Sequence, residues 1–160
     1  MVNNQGTTYD KIADKFIAIL KIKCNMGVFA EHLFRQVEKG NPQFYTLEKI
    51  EWMEDFLRSE NENIAANCLR CLCSKGKKLA NYRDLLAERI MDKVFSSKAI
   101  SIAEDFNEPS VLVVYMDENL FYVNRVILAL KRTHNESYLT PFMFSENEEL
   151  AKAAMKIAKK

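Results

Sequence analysis

Three cysteines that lie close together in the sequence are the first candidates for chemistry. Cys68, Cys71 and Cys73 form a Cys-x-x-Cys-x-Cys pattern, and thiolates are common zinc ligands. A structural zinc site needs four tetrahedral ligands, but the two histidines, His32 and His134, are distant in the sequence. Cys68 and Cys71 also share a predicted helix face with apolar residues, where a thiol acts as a small hydrophobe. We therefore predict core packing, with no metal and no cofactor.

A lysine-rich stretch and a histidine are the other candidates. Ser74-Lys-Gly-Lys-Lys78 is similar to a phosphate loop, but it lacks the earlier glycine and the Ser or Thr after the lysine. It also follows a predicted helix rather than a strand, and cations are favourable at the C-terminal end of a helix. His134 has no nucleophile elbow or similar signature nearby. We predict that the protein is not an enzyme; a compact helical enzyme or small-molecule pocket is a rival interpretation.

The composition favours helices. Hydrophobic residues make up 48% of the 160 residues and charged residues 28%, which is typical of a globular domain. Only 4 glycines and 3 prolines are present, fewer than a fold of many short strands and turns needs. Lys and Arg number 23 against 22 Asp and Glu, so no overall charge draws the chain to nucleic acid or membrane.

The compartment is predicted from what the sequence lacks. Its start has no basic region followed by an apolar one, and its longest apolar run, Val111–Met116, is far shorter than the ~20 residues of a membrane span. We expect an intracellular protein, cytoplasmic or nuclear, with reduced cysteines and no membrane contact. The chain is either complete or a segment of a longer protein.

Apolar periodicity predicts an all-α chain of about seven to nine helices in a single domain over 1–160. A helix pair within 7–40 is followed by repeat-like helices over 46–160. Helix starts are predicted at Thr46 and at the capping boxes Ser59-Glu-Asn-Glu62 and Ser145-Glu-Asn-Glu148, and a helix end is predicted at Gly76. Three further helices are predicted over Leu79–Phe95, Val111–Met116 (short and buried) and Asp117–Arg132. Ser96 and Ser97 are predicted to separate the first of these from the next helix.

Two segments of the sequence are similar to each other. Residues 56–71 and 142–157 share Phe, Ser-Glu-Asn-Glu and Ala at equivalent places, and 86 positions separate Ser59 from Ser145. That offset is two units of 43, within the ~40–47 residues of armadillo and HEAT repeats. The segments are either two unrelated helices with similar starts or copies of an internal repeat.

The segment from Glu48 to Gly76 resembles the second and third helices of an armadillo repeat. Phe56-Leu57, Ser59, Asn61-Glu62, Ile64 and Cys68–Leu72 fill the places of that pattern, with Cys for the small Ala. The resemblance implies an armadillo- or HEAT-like helical-repeat bundle. The glycine that precedes the second helix of an armadillo repeat is missing near Glu88, and the helices that would be the third helix of each repeat are unevenly spaced, so we predict an irregular bundle.

The resemblance also implies a binding face. Armadillo proteins that bind basic peptides carry Trp and Asn there. By the resemblance, the Trp places fall on Arg70, Leu128 and Lys156, and the Asn places fall on Ser74, Arg132 and Lys160. A locally basic surface therefore suggests an acidic protein segment or a phosphate backbone as partner, with forked contacts from Arg70 and Arg132. The predicted contact residues are Arg70, Ser74, Lys75, Lys131, Arg132 and Lys156.

From these features we predict a non-catalytic protein–protein interaction scaffold. Such a fold leaves a helical groove that can hold a partner segment. The alternative is an RNA- or DNA-associated factor that uses the same basic face, although nucleic-acid domains usually have a clear basic excess. Exposed apolar end faces of a repeat segment also make self-association a possible outcome.

Overall fold

The computed structural model describes Arg35 and the ranges 51–116 and 120–158. Within these residues the regular structure consists of α-helices and 3-10 helices and contains no strand, which confirms the all-α prediction. Apart from Arg35, the helix pair predicted within 7–40 lies outside the described residues. The chain divides into two compact units, residues 1–77 and 78–160.

The described part of the first unit consists of a 3-10 helix and an α-helix. The 3-10 helix η1 covers Glu51–Arg58, and α1 covers Glu62–Ser74. The two pack together, and the Cys68 thiol of α1 donates a hydrogen bond to the Met53 carbonyl of η1 over 2.9 Å. An α-helix was predicted here from Thr46. Its described part is a 3-10 helix instead. Over eight residues apolar spacing does not separate 3.0 from 3.6 residues per turn, so the sequence pattern is compatible with either helix.

The two ends of α1 are fixed by local hydrogen bonds. Asn61, rather than the predicted Ser59, is the N-cap: its side chain accepts from the backbone N–H groups of Asn63 and Ile64. The Ser59 hydroxyl accepts from the Asn61 N–H, so it orders the turn before the helix. At the other end Gly76 adopts a φ of +90° and ends the helix as predicted.

The second unit contains the remaining eight elements. They are the 3-10 helix η2 (Leu79–Tyr82), α2 (Arg83–Glu88), α3 (Lys93–Asp105), α4 (Pro109–Leu112), the 3-10 helix η3 (Val113–Tyr115), α5 (Val123–Arg132), the 3-10 helix η4 (Glu136–Phe144) and α6 (Glu148–Ala158). Its core is apolar, and its fully buried side chains include Leu79, Leu86, Phe95, Ile100, Val111, Tyr115, Val126 and Leu130.

The helix predicted over Leu79–Phe95 is broken. It is replaced by η2, α2 and the start of α3, with a turn at 89–92. Ser96 lies inside α3 rather than between helices, and its buried hydroxyl is 3.1 Å from the carbonyl oxygens of both Arg89 and Ile90. This contact holds the turn that breaks the helix. Met91, which continuous helical periodicity places inside, is consequently 74% exposed.

The next two predictions have different outcomes. The predicted short helix at Val111–Met116 is confirmed as α4 followed by η3, with Pro109 in the first turn of α4. The helix predicted from Asp117 begins at Val123. Asp117 itself lies outside the described residues, and Leu120 adopts a φ of +58°, which is incompatible with a continuous helix through that position.

Helices α3 and α5 run parallel, and three polar contacts connect the two helices and the residues just beyond their ends. Arg125 donates to the Ser101 hydroxyl over 2.7 Å, Arg132 pairs with Glu104 at 3.1 Å, and the Asn135 amide donates to the Asn107 side chain over 2.7 Å. The contacting residues advance in the same direction along both segments, from 101 to 107 and from 125 to 135, so the C-terminal ends of α3 and α5 lie together.

The ends of α3 and α5 are closed in the same way as the end of α1. Each has a left-handed residue just beyond the helix: Asn107 with a φ of 53° and His134 with a φ of 57°. The next N–H in each case, from Glu108 and Asn135, donates back into the last turn of the helix. His134 therefore has a structural role in ending α5.

The similarity of residues 56–71 and 142–157 extends to their local structure. In each, a 3-10 helix precedes the shared Ser, and the α-helix begins at the second glutamate of Ser-Glu-Asn-Glu. Asn147, like Asn61, is a helix cap: it accepts from the N–H groups of Glu149 and Leu150, while Ser145 accepts from the Asn147 N–H. The capping boxes predicted at both serines are thus replaced by the same asparagine cap.

The position of the cap predicts how substitutions at Asn61 affect stability. Asn61→Ala leaves two backbone N–H groups of α1 without their side-chain acceptor, and we expect it to lower the free energy of unfolding by about 1 kcal/mol. Asn61→Asp keeps an acceptor and should change it by only a few tenths. Urea denaturation followed by circular dichroism measures both. Equal stability of the two variants would contradict the asparagine cap.

The end of α1 gives a second prediction. No atom lies within 4 Å of a Cβ added at Gly76, so only the backbone conformation resists a side chain there. We expect Gly76→Ala to lower the free energy of unfolding by about 1 kcal/mol. Gly76→Asn should cost less, because Asn tolerates the left-handed region better. Chemical denaturation of the two variants measures the difference, and a neutral Gly76→Ala would argue against the positive φ.

Candidate functional site

Two of the six predicted contact residues meet in one groove of the second unit. Lys131 on α5 and Lys156 on α6 both line a depression of about 330 Å³ between these helices. This α5–α6 groove is completed by Asn124, Ile127, Leu128, Ala153 and Ile157. It therefore has an apolar surface bordered by one amide and two lysines, and none of its lining residues is acidic.

The surface of the groove is partly accessible. Leu128 is 48% exposed although it is a large aliphatic residue, and Ile157 is half-buried. Lys131 and Lys156 are exposed, as long cationic side chains beside apolar surface usually are. An accessible aliphatic surface between two cations favours a ligand with both apolar and anionic groups.

Comparison of α6 with α1 shows that equivalent positions of the two helices differ in exposure. The shared pattern aligns Leu69 with Met155 and Cys71 with Ile157. Leu69 and Cys71 are buried, whereas Met155 is 36% exposed and Ile157 is half-buried. The same helix pattern is thus covered in α1 and remains partly open in α6.

Arg132 makes a different contact from its neighbour Lys131. Its guanidinium Nη1 lies 3.1 Å from the Glu104 carboxylate of α3, and Arg132 does not line the groove. The Arg132 side chain is still 67% exposed, so this ion pair is solvated and weak. A forked contact from Arg132 to a partner would have to compete with Glu104.

The other three predicted contact residues belong to the first unit. Arg70 is half-buried on α1, and Ser74 ends the helix with its hydroxyl donating to the Cys71 carbonyl over 2.7 Å. Lys75 is the C-cap residue, and its backbone N–H donates into the last turn. The nearby Lys77 lies 3.6 Å from Glu54. The part of this stretch from Ser74 to Gly76 therefore forms the end of α1, and Lys78 directly precedes η2.

The cysteines of α1 lie in the core of the first unit, as predicted. Cys68, Cys71 and Cys73 are all buried free thiols. Burial raises the pKa of the Cys68 thiol well above its usual value, and the neighbouring Cys71 raises it further. Within 51–116 and 120–158, no three His, Cys, Asp or Glu side chains are grouped as metal ligands would be.

Tyr115 is the one buried hydroxyl of the described residues that lacks a hydrogen bond of good geometry. It lies in the core of the second unit near Ser96, whose hydroxyl contacts the carbonyl groups of the 89–92 turn. Burial raises the pKa of Tyr115. A protonated, enclosed phenol is a poor nucleophile, and Tyr115 does not line the groove.

A second depression, of about 410 Å³, is lined by Val113, Ser137, Tyr138, Pro141 and Phe142. No charged side chain lines it, so its chemistry offers less basis for choosing a ligand than that of the α5–α6 groove. Among the described helices, none has the length and apolar character needed to cross a bilayer.

Comparison with models of known protein families, with curated proteins and with solved structures found no match. The resemblance to armadillo repeats stays a prediction. The function has to be argued from the groove itself.

Sequence reasoning selected the two lysines of the groove but missed its apolar residues. Leu128 entered only as the residue at a place where the armadillo pattern has Trp, and Ile127, Ala153 and Ile157 had no predicted contact role. The available signal was Leu128, an aliphatic residue between the polar Asn124 and Lys131 on one side of α5. A single exposed aliphatic residue is normal on a protein surface, so Leu128 alone could not predict the groove.

Burial of the thiols predicts their reactivity. In a Cys24→Ser background, which leaves only the three cysteines of α1, we expect Ellman's reagent to label the folded protein at pH 7.5 very slowly. Burial blocks access, and the raised pKa of Cys68 lowers its thiolate fraction at this pH. Labelling should be complete and fast in denaturant. Rapid release of three equivalents from the folded protein would contradict this packing.

Proposed function

We propose that this protein is a non-catalytic interaction module that binds an acidic, partly apolar segment of a partner protein in the α5–α6 groove. The observation that supports the proposal is the meeting of Lys131 and Lys156 beside the accessible aliphatic residues Leu128 and Ile157. Together they describe a complementary ligand.

The apolar part of the groove would supply most of the affinity. Burying accessible apolar surface contributes roughly 25 cal/mol per Å², and Leu128 has about half its surface available. A helix or extended segment with aliphatic or aromatic residues on one side would cover Leu128 and Ile157. Helix-in-groove binding of this kind uses residues at helical spacing as anchors.

The two lysines would supply orientation and selectivity. An exposed ion pair contributes only about 0.2–1 kcal/mol, but a cation facing another cation is unfavourable. Helix α5 carries no acidic residue over Val123–Arg132, so a basic segment would meet no compensating charge on that helix. Lys131 and Lys156 therefore favour a segment with carboxylates beside its apolar residues.

The predicted contact residues outside the groove remain part of the proposal in a secondary role. Arg132 lies next to Lys131 and would extend the contact if it left Glu104. Arg70, Ser74 and Lys75 belong to the first unit, and their participation is a prediction from sequence alone. The groove alone is sufficient for the primary contact.

A nucleic-acid backbone is the second candidate ligand, since lysines also bind phosphates. It is less well matched, because the groove is mainly aliphatic and the chain's net charge is only +1. Binding to nucleic acid would show a steep dependence on salt. The same binding assay therefore distinguishes the two ligands.

The test uses a fluorescein-labelled amphipathic peptide with leucines at helical spacing along one side and glutamates beside them. We expect it to bind the full chain, and we expect Lys131→Glu/Lys156→Glu to weaken binding at least about tenfold because attraction becomes repulsion. Fluorescence anisotropy gives the dissociation constants. Leu128→Ala should weaken binding independently by removing apolar contact area.

The matched control is Lys78→Glu/Arg83→Glu. It makes the same change in net charge with two exposed cations of the second unit that do not line the groove. Binding should be nearly unchanged in this variant. Equal loss in both double variants would mean that only net charge matters. Preferential binding of an RNA oligonucleotide, or no binding of either probe, would contradict the proposal.

A further inference from the structure

An exposed segment of the second unit has the chemistry that the α5–α6 groove favours. Phe144, the last residue of η4, is 84% exposed, the largest exposed fraction among the large hydrophobic side chains of the described residues. Glu146 and Glu149 follow it and are also exposed. Residues 142–149, the Phe144 segment, thus combine an accessible aromatic ring with carboxylates and contain no cation.

The Phe144 segment is held in shape by its own hydrogen bonds. The Ser145 hydroxyl accepts from the Asn147 N–H at 3.2 Å, and the Asn147 side chain accepts from the N–H groups of Glu149 and Leu150. The backbone at Ser145 is extended, with φ −63° and ψ 143°. A preorganised segment loses little conformational freedom when it binds.

The Phe144 segment does not occupy the groove of its own chain. Phe144 is almost fully solvent-accessible and is not among the lining residues of the groove. The α6 residues that line the groove begin at Ala153, beyond the first turn of the helix. The two surfaces are therefore separate patches of one unit, and both are accessible to another molecule.

We propose that a second copy of this chain is a partner of the α5–α6 groove, and that its Phe144 ring packs on Leu128 and Ile157 while Glu146 and Glu149 approach Lys131 and Lys156. This inference rests on the proposed function, because it assigns an occupant to the same groove. Its support is the match of an aromatic group with an aliphatic surface and of two carboxylates with two lysines. The net charge of +1 adds little repulsion between copies.

The contact joins two different patches, so it is heterologous. In a contact between two copies, the copy that uses its groove still has an unoccupied Phe144 segment. The copy that uses its Phe144 segment still has an unoccupied groove. Such contacts form rings if the rotation between copies closes and open chains if it does not. Assembly should therefore depend on protein concentration and weaken as salt screens the ion pairs.

The test is sedimentation velocity of the full chain over a range of concentrations. Wild type should form concentration-dependent oligomers. The groove variant, Lys131→Glu/Lys156→Glu, and the segment variant, Phe144→Ala/Glu146→Lys, should each have a dissociation constant raised at least about tenfold and sediment as monomers. Circular dichroism melting of both variants shows whether they remain folded. The control variant Lys78→Glu/Arg83→Glu, which changes neither the groove nor the Phe144 segment, should assemble like wild type.

Mixing the two variants is the decisive measurement. The segment variant keeps an intact groove, and the groove variant keeps an intact Phe144 segment, so together they should form a 1:1 dimer and nothing larger. Monomeric wild type, assembly that both variants retain, or a mixture without dimers would each overturn the proposal. If the chain stays monomeric but still binds the acidic peptide, the second copy is excluded while the proposed function stands. If the chain neither assembles nor binds the acidic peptide, both the second copy as partner and the proposed function are contradicted.

Discussion

The parallel pairing of α3 with α5 is the constraint on which the second unit's groove depends. Three polar contacts, from Ser101 to Arg125, from Glu104 to Arg132 and from Asn107 to Asn135, fix how far α5 lies along α3. Exposed contacts of this type contribute little stability, and burial of apolar side chains supplies most of it. Their effect is on register. With α5 fixed, Leu128 and Lys131 lie where α6 completes the groove.

The same constraint explains why adjacent cations have different surroundings. Lys131 and Arg132 are consecutive, and consecutive residues of a helix point about 100° apart. Arg132 reaches Glu104 on α3, while Lys131 lines the groove beside α6. A sequence pattern that groups the two as one basic patch cannot separate these directions unless the neighbours of α5 are known.

Features that are decided locally could be predicted from the sequence. Gly76 ends α1 as predicted, because glycine adopts the left-handed conformation without a steric penalty. That outcome depends on the conformational limits of one residue and needs no distant contact. The helix at 111–116 was predicted on a different ground, the lack of any second strand pattern in the sequence, which is also visible without the structure.

Features that depend on competition between neighbours could not be predicted. Ser59 and Asn61 are both good helix caps two positions apart, and the structure uses the serine to order the turn and the asparagine to cap the helix. The break at 89–92 depends on the Ser96 hydroxyl facing two carbonyl groups. The groove itself joins residues from two helices, and no spacing within either helix encodes their meeting.

The two similar segments show how one local pattern can serve two purposes. Each has the same serine turn, asparagine cap and buried small residue, Cys68 in α1 and Ala154 in α6. These shared residues are the ones that begin the helix and pack it on the preceding 3-10 helix. The differences fall on the other side, where Leu69 is buried and its counterpart Met155 is exposed. Helix formation therefore constrains the shared positions, while the neighbouring positions differ in burial between the two helices. In α6 one of these, Ile157, is half-buried and lines the groove beside Lys156, whereas its counterpart Cys71 in α1 is buried.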